Sequence, residues 1–461
     1  MTVSTIVTGL PPAIVALIQQ NVLVRAFEEN LFPRLLFRSE ATPERWETNL
    51  GETKIWTRPG LLPRVTRPLT PGVDPVAETY GVEQWKATAS QYGSSIPTHM
   101  PSSVVALAPL YTRNIQELGK QAGLSVNGLA RDALFRAYGA GGNSVITAVA
   151  AAGAFTARVA SIAGFSEKAF NSTPTPVSLL NPLTVTFPGT AEVANTVVAA
   201  IPDDPMFPYG PGTLQFGAAL TTGLANRDAI RAANASLVIR SGGGNSVDAL
   251  TSTDVLTLQD VINAVAQMRS NNVPPTADGY YHVHLTPEGE AQLYADQQFR
   301  QLFQSLPDSM EYRDLAIGQL IGCRFYRNSE VPNVMNVGAT AVSSSSAVVA
   351  KEIGIEVANN TGLAVRRAII LGGSALYEPY LDESAFITAA GVNGKIGEFD
   401  VVNGGVTVLT DRIRLILRAP QDKLQQMLDS SWSWSGDFAV PSDELTGSAS
   451  RFKRGVVIEH A

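Results

Sequence analysis

Residues 52–93 read ETKIWTRPGLLPRVTRPLTPGVDPVAETYGVEQWKATASQYG. The opening ETKIWTR carries the β-branched and aromatic residues of a strand. Prolines then fall at 59, 63, 68, 71 and 75, a density that forbids helix or central strand and holds the backbone extended. VEQWKATASQYG reads as the returning strand. Segment 51–94 is therefore expected to be a long two-stranded arm with a proline-stiffened tip; a disordered surface loop is the alternative. A lone hairpin is marginal in water, so such an arm needs another surface to lie on. Lys54, Arg58, Arg64 and Arg67 make its first half basic, and Leu61 and Leu62 give it apolar area to bury. These six residues are expected to make that contact.

Upstream of the arm, Val24, Phe27, Leu31 and Leu35 share one helical face, although Pro33 should interrupt it. A helix this close to a terminus needs something to pack on, and Val24, Phe27 and Leu31 are expected to contact a neighbour. Downstream, 102–138 holds the longest helical pattern, with Leu107, Tyr111, Ile115, Leu118, Ala122, Leu129 and Ala133 on one stripe. Gly119, Gly123 and Gly128 weaken it locally. From 146 to 242 the chain changes character. Short β-like runs (FTARVASIA, LTVTF, NTVVAAI, GTLQFGAAL, ASLVIRS) alternate with turn signals, the pattern of a small β-barrel or sandwich. Helical periodicity resumes at Thr257, where Thr257 and Asp260 form a capping-box pattern ahead of Leu258, Val261, Ile262, Val265 and Met268. GYYHVHL and IGCRFYRN read as strands, and Thr286-Pro287 as a helix start. The tail from about 350 is strand-rich: in DRIRLILR, Ile413, Leu415 and Leu417 face one way and Arg412, Arg414, Ile416 and Arg418 the other.

The pentapeptide GGNSV occurs at both ends of the β-like segment, at 141–145 and 243–247. A phosphate-binding P-loop needs the lysine and hydroxyl of G-K-[ST], which neither copy has. The flanks differ, so an internal repeat fails as well. Glycine and asparagine both tolerate left-handed backbone. Gly141, Gly142, Gly243 and Gly244 are thus expected to be hinges, through which the chain leaves and re-enters a host domain around an inserted β-domain.

The chain has 461 residues, net charge −7 and 16% charged residues, well under the usual quarter. Low charge predicts a surface largely covered by partner protein, and no unbroken apolar run suggests a membrane span. An acidic balance disfavours generic polyanion binding. The single cysteine, Cys323, excludes an intramolecular disulfide framework and fits a reducing compartment. The N-terminus lacks the basic region of a signal peptide. Arginine outnumbers lysine 26 to 8; either interface preference or GC-rich coding accounts for this.

Catalytic signals are weak. His282 and His284 share a strand face near Glu288, a trio that could bind metal but reads better as ordinary strand histidines. There is no G-x-S-x-G, H-E-x-x-H or C-x-x-C. Ser374 reads as structural and Cys323 as a small buried hydrophobe. Asp203/Asp204 and Glu28/Glu29 read as solvated or ion-paired. The arginine face of 412–418 is assigned to intersubunit ion pairs, and Trp432 and Trp434 to core or interface anchoring. No enzyme activity, catalytic residue, metal or cofactor is expected. The rival readings are a β-rich hydrolase and a carbohydrate-binding module built on the β segment.

The order of parts, with the stretches LQDVINAVAQMRSNNVPP, DGYYHVHLTPEGEAQLYAD and SWSWSGDFAVPSD…FKRGVVIEHA, resembles the major capsid proteins of tailed bacteriophages, the Hong Kong 97-like fold. The resemblance implies an α+β chain. It makes 1–50 an N-terminal arm, 51–94 the extended loop and 95–140 a peripheral domain with its spine helix. It makes 146–242 an inserted small β-barrel or sandwich domain, 253–345 the axial domain, and 346–461 strands that complete the core. The implied function is a self-assembling icosahedral shell of pentamers and hexamers around double-stranded DNA, bound non-specifically. A separate scaffolding protein, a portal and a decoration or cement protein are the implied partners, with no membrane. The implied location is the virion, after assembly in the bacterial host cytoplasm. Some relatives cross-link lysine to asparagine; Lys54, Lys86 and Asn359/Asn360 are present, without a local signature.

Overall fold

The computed structural model describes residues 25–27, 36–46, 51–60, 77–99, 110–170, 173–205, 208–304, 319–331, 362–381, 400–402, 405–410, 412–418, 423–424, 426–443 and 451–461, with scattered positions between 62 and 75. It is an α+β chain that divides into two compact units. One holds 1–54, 87–130 and 377–439; the other holds 55–86, 131–376 and 440–461.

The first unit is organised on a seven-stranded sheet. Its main path joins β1 (Ala41–Trp46), β18 (Leu376–Leu381), β22 (Met427–Gly436), β21 (Ile413–Arg418), β20 (Gly405–Thr410) and β19 (Asp400–Val402). Off this path, β4 (Ser90–His99) lies antiparallel to β22 along its whole length. Alternation dictates the faces: Ile413, Leu415 and Leu417 are buried while Arg412, Arg414 and Ile416 are only partly so. Leu428, Ser430, Trp432 and Trp434 are buried on β22, and Trp434 stacks on Phe438 at 5.3 Å, so both tryptophans serve this chain's own core.

The long helix α1 spans Leu110–Leu134 and continues as a π-helical turn, Phe135–Ala140. Its buried stripe is Tyr111, Ile115, Leu118, Ala122, Val126, Ala130 and Ala133. Val126 and Ala130 are buried where Leu129 was expected, and Leu129 stays half-buried, although five turns of helix bring it back over Tyr111. Gly119 has a tertiary reason: a Cβ there would sit 2.7 Å from the Phe27 carbonyl oxygen. Only glycine admits that approach. Asn127 Oδ1 accepts from the backbone N–H groups of Phe37 (2.8 Å) and Arg38 (3.1 Å), satisfying donors that helix and sheet leave over.

In the second unit a mixed sheet runs in the order β13 (Val238–Arg240), β23 (Gly455–His460), β17 (Arg366–Leu371), β14 (Tyr281–Leu285), β16 (Cys323–Arg327) and β15 (Gln319–Leu320). Every residue of β23 is buried, as is expected of a central strand covered on both faces. The helix α2 (Leu258–Ser270) starts at the predicted capping box, with Thr257 and Asp260 exchanging hydrogen bonds. Its Leu258, Val261, Val265 and Met268 join Val283, Phe325, Ile370 and Ile458 in one hydrophobic cluster. Two shorter helices follow β14: α3 (Pro287–Ala295), capped by Thr286 Oγ1 accepting from Gly289 N–H, and α4 (Gln297–Gln304).

The same unit holds a second, antiparallel sheet in the order β5 (Asn143–Val145), β12 (Ala229–Ala232), β9 (Leu183–Thr186), β10 (Ala194–Pro202), β11 (Gly212–Phe216) and β6 (Thr156–Val159). Its edge strands meet. Ala160 N–H donates to Val145 O at 3.0 Å and Thr147 N–H to Arg158 O at 2.9 Å, so the sheet closes as a small barrel with no free edge. Ile146, Phe165, Leu183, Val185, Val197, Leu214, Phe216 and Ile230 fill its interior. A two-stranded ribbon, β7 (Glu167–Phe170) with β8 (Thr173–Pro176), lies within the same segment. Residues 238–240 pair in parallel with β23 and so lie at the edge of the mixed sheet, half-buried.

Candidate functional site

The arm within 51–94 forms its own two-stranded sheet, β2 (Thr53–Pro59) with β3 (Val82–Thr88). No residue of β2 is buried. Its cohesion comes from cross-strand pairs: Trp56 stacks on Trp85 at 6.0 Å with an interplanar angle of 8°, and Gln84 Nε2 donates to Thr57 Oγ1 at 3.0 Å. Gly60 N–H donates to Gly81 O at 2.7 Å, so pairing lasts to the point where the proline run begins. Beyond it the described tip residues are exposed, among them Leu62 at 55% and Val65 at 76%.

The base of the ribbon is a charged cluster. Arg58 lies 5.5 Å over the Trp85 ring and pairs with Glu83 and with Asp443 at 2.5 Å. Arg454 reaches Asp443 at 3.2 Å, and the Lys453 N–H donates to it at 3.1 Å. Glu83 is 3% exposed. Burial, and then the Asp443 carboxylate, push its pKa up to about 7 against the pull of Arg58; burial raises Asp443 as well. Two carboxylates sharing one nearest cation cannot both ionise freely. Lys86 pairs with Glu167 at 2.6 Å. Sequence reading missed Glu83 and Asp443: Arg58 and Asp443 are 385 positions apart, and no local pattern joins them.

The residues expected to meet a neighbour divide. Leu62 and Arg64 are exposed. Lys54 instead pairs with Glu44 at 2.7 Å, and Arg58 is engaged as described. Phe27 departs most: it is 0% exposed within its own chain, because Gly119 lets it close on α1. Its side chain belongs to this chain's core. Leu61, Arg67, Val24, Leu31, Glu28/Glu29 and Asn359/Asn360 lie outside the described residues.

Two of the four expected hinges have unusual backbone, whereas Gly244 is extended with φ of −62°. Gly142 and Gly243 carry φ of +102° and +78°, a region that favours glycine. Gly142 N–H donates to Ala163 O (2.9 Å), and its carbonyl accepts from Ala232 N–H (2.6 Å). The two pentapeptides approach each other, since Asn143–Val145 and Asn245–Val247 line one cavity.

The residues weighed for chemistry are dispersed. His282 Nε2 bonds Asp278 Oδ2 (3.0 Å) and Thr276 Oγ1 (3.0 Å), and His284 stacks on Tyr326 at 5.4 Å. Among the described residues no three His, Cys, Asp or Glu side chains group as metal ligands. Burial pushes the Cys323 thiol up to about 12, which keeps it protonated and unreactive. Asp203 pairs with Arg158 at 2.5 Å. Arg412, expected to pair across subunits, holds Glu378 of its own chain at 3.0 Å. No described helix is long and apolar enough to cross a membrane.

No protein-family model matches the sequence, and no curated protein does. Among solved structures, the chain is similar to the head structure of Helicobacter pylori bacteriophage KHP40, with 9% identity, 93% of this chain and 92% of that chain covered, and a TM-score of 0.49. It is similar to the capsid structure of the cyanophage P-SCSP1u, with 10% identity, coverage of 92% and 88%, and a TM-score of 0.48. It is also similar to the acid-stable capsid of Helicobacter pylori bacteriophage KHP30, with 8% identity, coverage of 91% and 87%, and a TM-score of 0.48.

Proposed function

We propose that this chain is the structural subunit of a tailed-phage capsid, which assembles with copies of itself, as pentamers and hexamers, into an icosahedral shell around double-stranded DNA. The observation that carries the reading is the β2–β3 ribbon. It is paired and tryptophan-stacked at its base, yet it buries no residue of β2 and bares Leu62 and Val65 beyond the last cross-strand bond. A two-stranded ribbon with an exposed apolar tip is unstable alone in water, and a second copy is the surface that would complete it. Weak contacts of this kind add up through closed symmetry. The acidic net charge of −7 suits a wall along which packaged DNA must slide. A separate scaffolding protein, a portal and a decoration protein are the further partners of this reading, with assembly in the host cytoplasm and residence in the virion. Nothing among the described residues favours the hydrolase or carbohydrate-binding alternatives.

The test is deletion of Leu61 to Asp74. The shortened chain is expected to stay soluble and folded but to form no closed particles in negative-stain micrographs, under conditions where the full chain forms shells. Normal particles from the deletion would remove the arm from assembly, and a full chain that stays solitary in every condition would end the capsid reading.

A further inference from the structure

The cavity between the two pentapeptides has a volume of 50 Å³ and gathers three arginines from three strands. Arg231 comes from β12 of the barrel, Arg240 from β13 and Arg367 from β17, with Ser144 and Ser246 of the two pentapeptides beside them. One carboxylate, Glu459, also lines it. Each of its oxygens faces an arginine: Arg240 Nε lies 2.8 Å from Oε2, and Arg367 Nε donates to Oε1 at 3.0 Å. Three guanidiniums against one carboxylate leave two positive charges in the wall uncompensated.

Arg367 is 2% exposed, and its Nη1 has no hydrogen-bond partner among the described residues. Buried donors without acceptors are rare in native proteins. Arg231 forms no ion pair among the described residues. It is exposed by area, yet its pKa is lowered, first by desolvation and then by the Arg240 cation. Water could accept from Arg367 but would leave the charge in place. A cavity needs roughly 10–15 Å³ to admit a single water, so this one, at 50 Å³, has room for the oxygens of a small oxyanion. Guanidinium forks match such oxygens in pairs, and the serine hydroxyls can donate as well.

We propose that this cavity binds a doubly charged tetrahedral oxyanion of the phosphate class. The site is not a P-loop: its cations are supplied by three separate strands, and the pentapeptides contribute small polar walls around them. Because Arg231 belongs to the barrel while Arg240 and Arg367 belong to the mixed sheet, the bound anion ties the root of the barrel to that sheet. The inference is independent of shell formation.

The test titrates the full-length chain with sodium phosphate, at an ionic strength held constant with sodium chloride, by calorimetry and by thermal unfolding. Saturable binding and a rise in unfolding temperature are expected with phosphate and with sulfate, but not with acetate or with chloride alone. Arg231→Gln, at an exposed position, is expected to keep the fold and weaken phosphate binding by roughly tenfold or more, the loss typical of one charge-assisted hydrogen-bonding partner. Arg240→Gln provides a second variant with the same expectation. A response to phosphate no larger than to chloride, or equal phosphate affinity in wild type and Arg231→Gln, overturns the proposal.

Discussion

Replacing Glu83 by glutamine should remove a pH dependence that the arm's base imposes on stability. The folded chain raises the Glu83 pKa from 4.5 to about 7, chiefly by burial and then by Asp443. A group whose folded pKa is raised binds its proton more tightly in the folded state. Its contribution is therefore fully present below pH 4.5 and is lost as pH rises through 7. At 1.36 kcal/mol per pH unit, the full difference is about 3 kcal/mol, of which about 2.5 kcal/mol falls between pH 5 and pH 8 by the linkage relation. His460 works in the opposite direction over part of this window. Burial lowers its pKa from 6.5 to about 4, so its contribution is lost as pH falls. The total stability curve therefore mixes the two, and the informative quantity is the difference between wild type and Glu83→Gln, in which His460 cancels. Urea unfolding of the unassembled chain, followed by tryptophan fluorescence, reads the ribbon through the Trp56–Trp85 stack. The wild type should lose about 2.5 kcal/mol relative to Glu83→Gln between pH 5 and pH 8. A difference that stays constant over that range would refute the claim that Glu83 carries a proton at the folded base of the arm.

Three further outcomes follow from the packing. Gly119→Val puts a branched side chain where a Cβ already meets the Phe27 carbonyl at 2.7 Å, and should destabilise the chain by about 1–3 kcal/mol in thermal unfolding. Glu378→Gln neutralises a buried carboxylate held by Arg38 at 2.7 Å and Arg412 at 3.0 Å; leaving those cations uncompensated should cost about 3–5 kcal/mol in denaturant unfolding. Cys323, its thiol pushed up to about 12 by burial, should resist an aromatic disulfide reagent at pH 8 until denaturant unfolds the chain, and prompt labelling of folded protein would contradict that environment.

The periodic elements were legible because their signals are local. The capping box at Thr257 and Asp260, the alternation of Ile413, Leu415 and Leu417, the tryptophan stripe on β22 and the α1 face each depend on residues within a few positions of one another. The proline run was legible for the same reason, since a pyrrolidine ring restricts its own backbone whatever surrounds it. The β segment could be read as barrel or sandwich, but closure of the barrel rests on hydrogen bonds between its first and last strands, Val145 to Ala160 and Thr147 to Arg158. Composition does not encode that meeting.

Charge was the least legible property. Arg58 and Arg412 looked like cations held for a neighbour, yet Asp443 and Glu378 of the same chain engage them. Phe27 looked like a terminal contact, yet a glycine 92 positions on (119 − 27) admits it to the core. The two GGNSV turns carried no visible chemistry, because Arg231, Arg240 and Arg367 reach them from three different strands. Backbone preference and hydrophobic period act over one or two turns of chain, so they can be read along it. Ion pairing, close approach and cavity formation act through space, and their partners become known when the chain has folded.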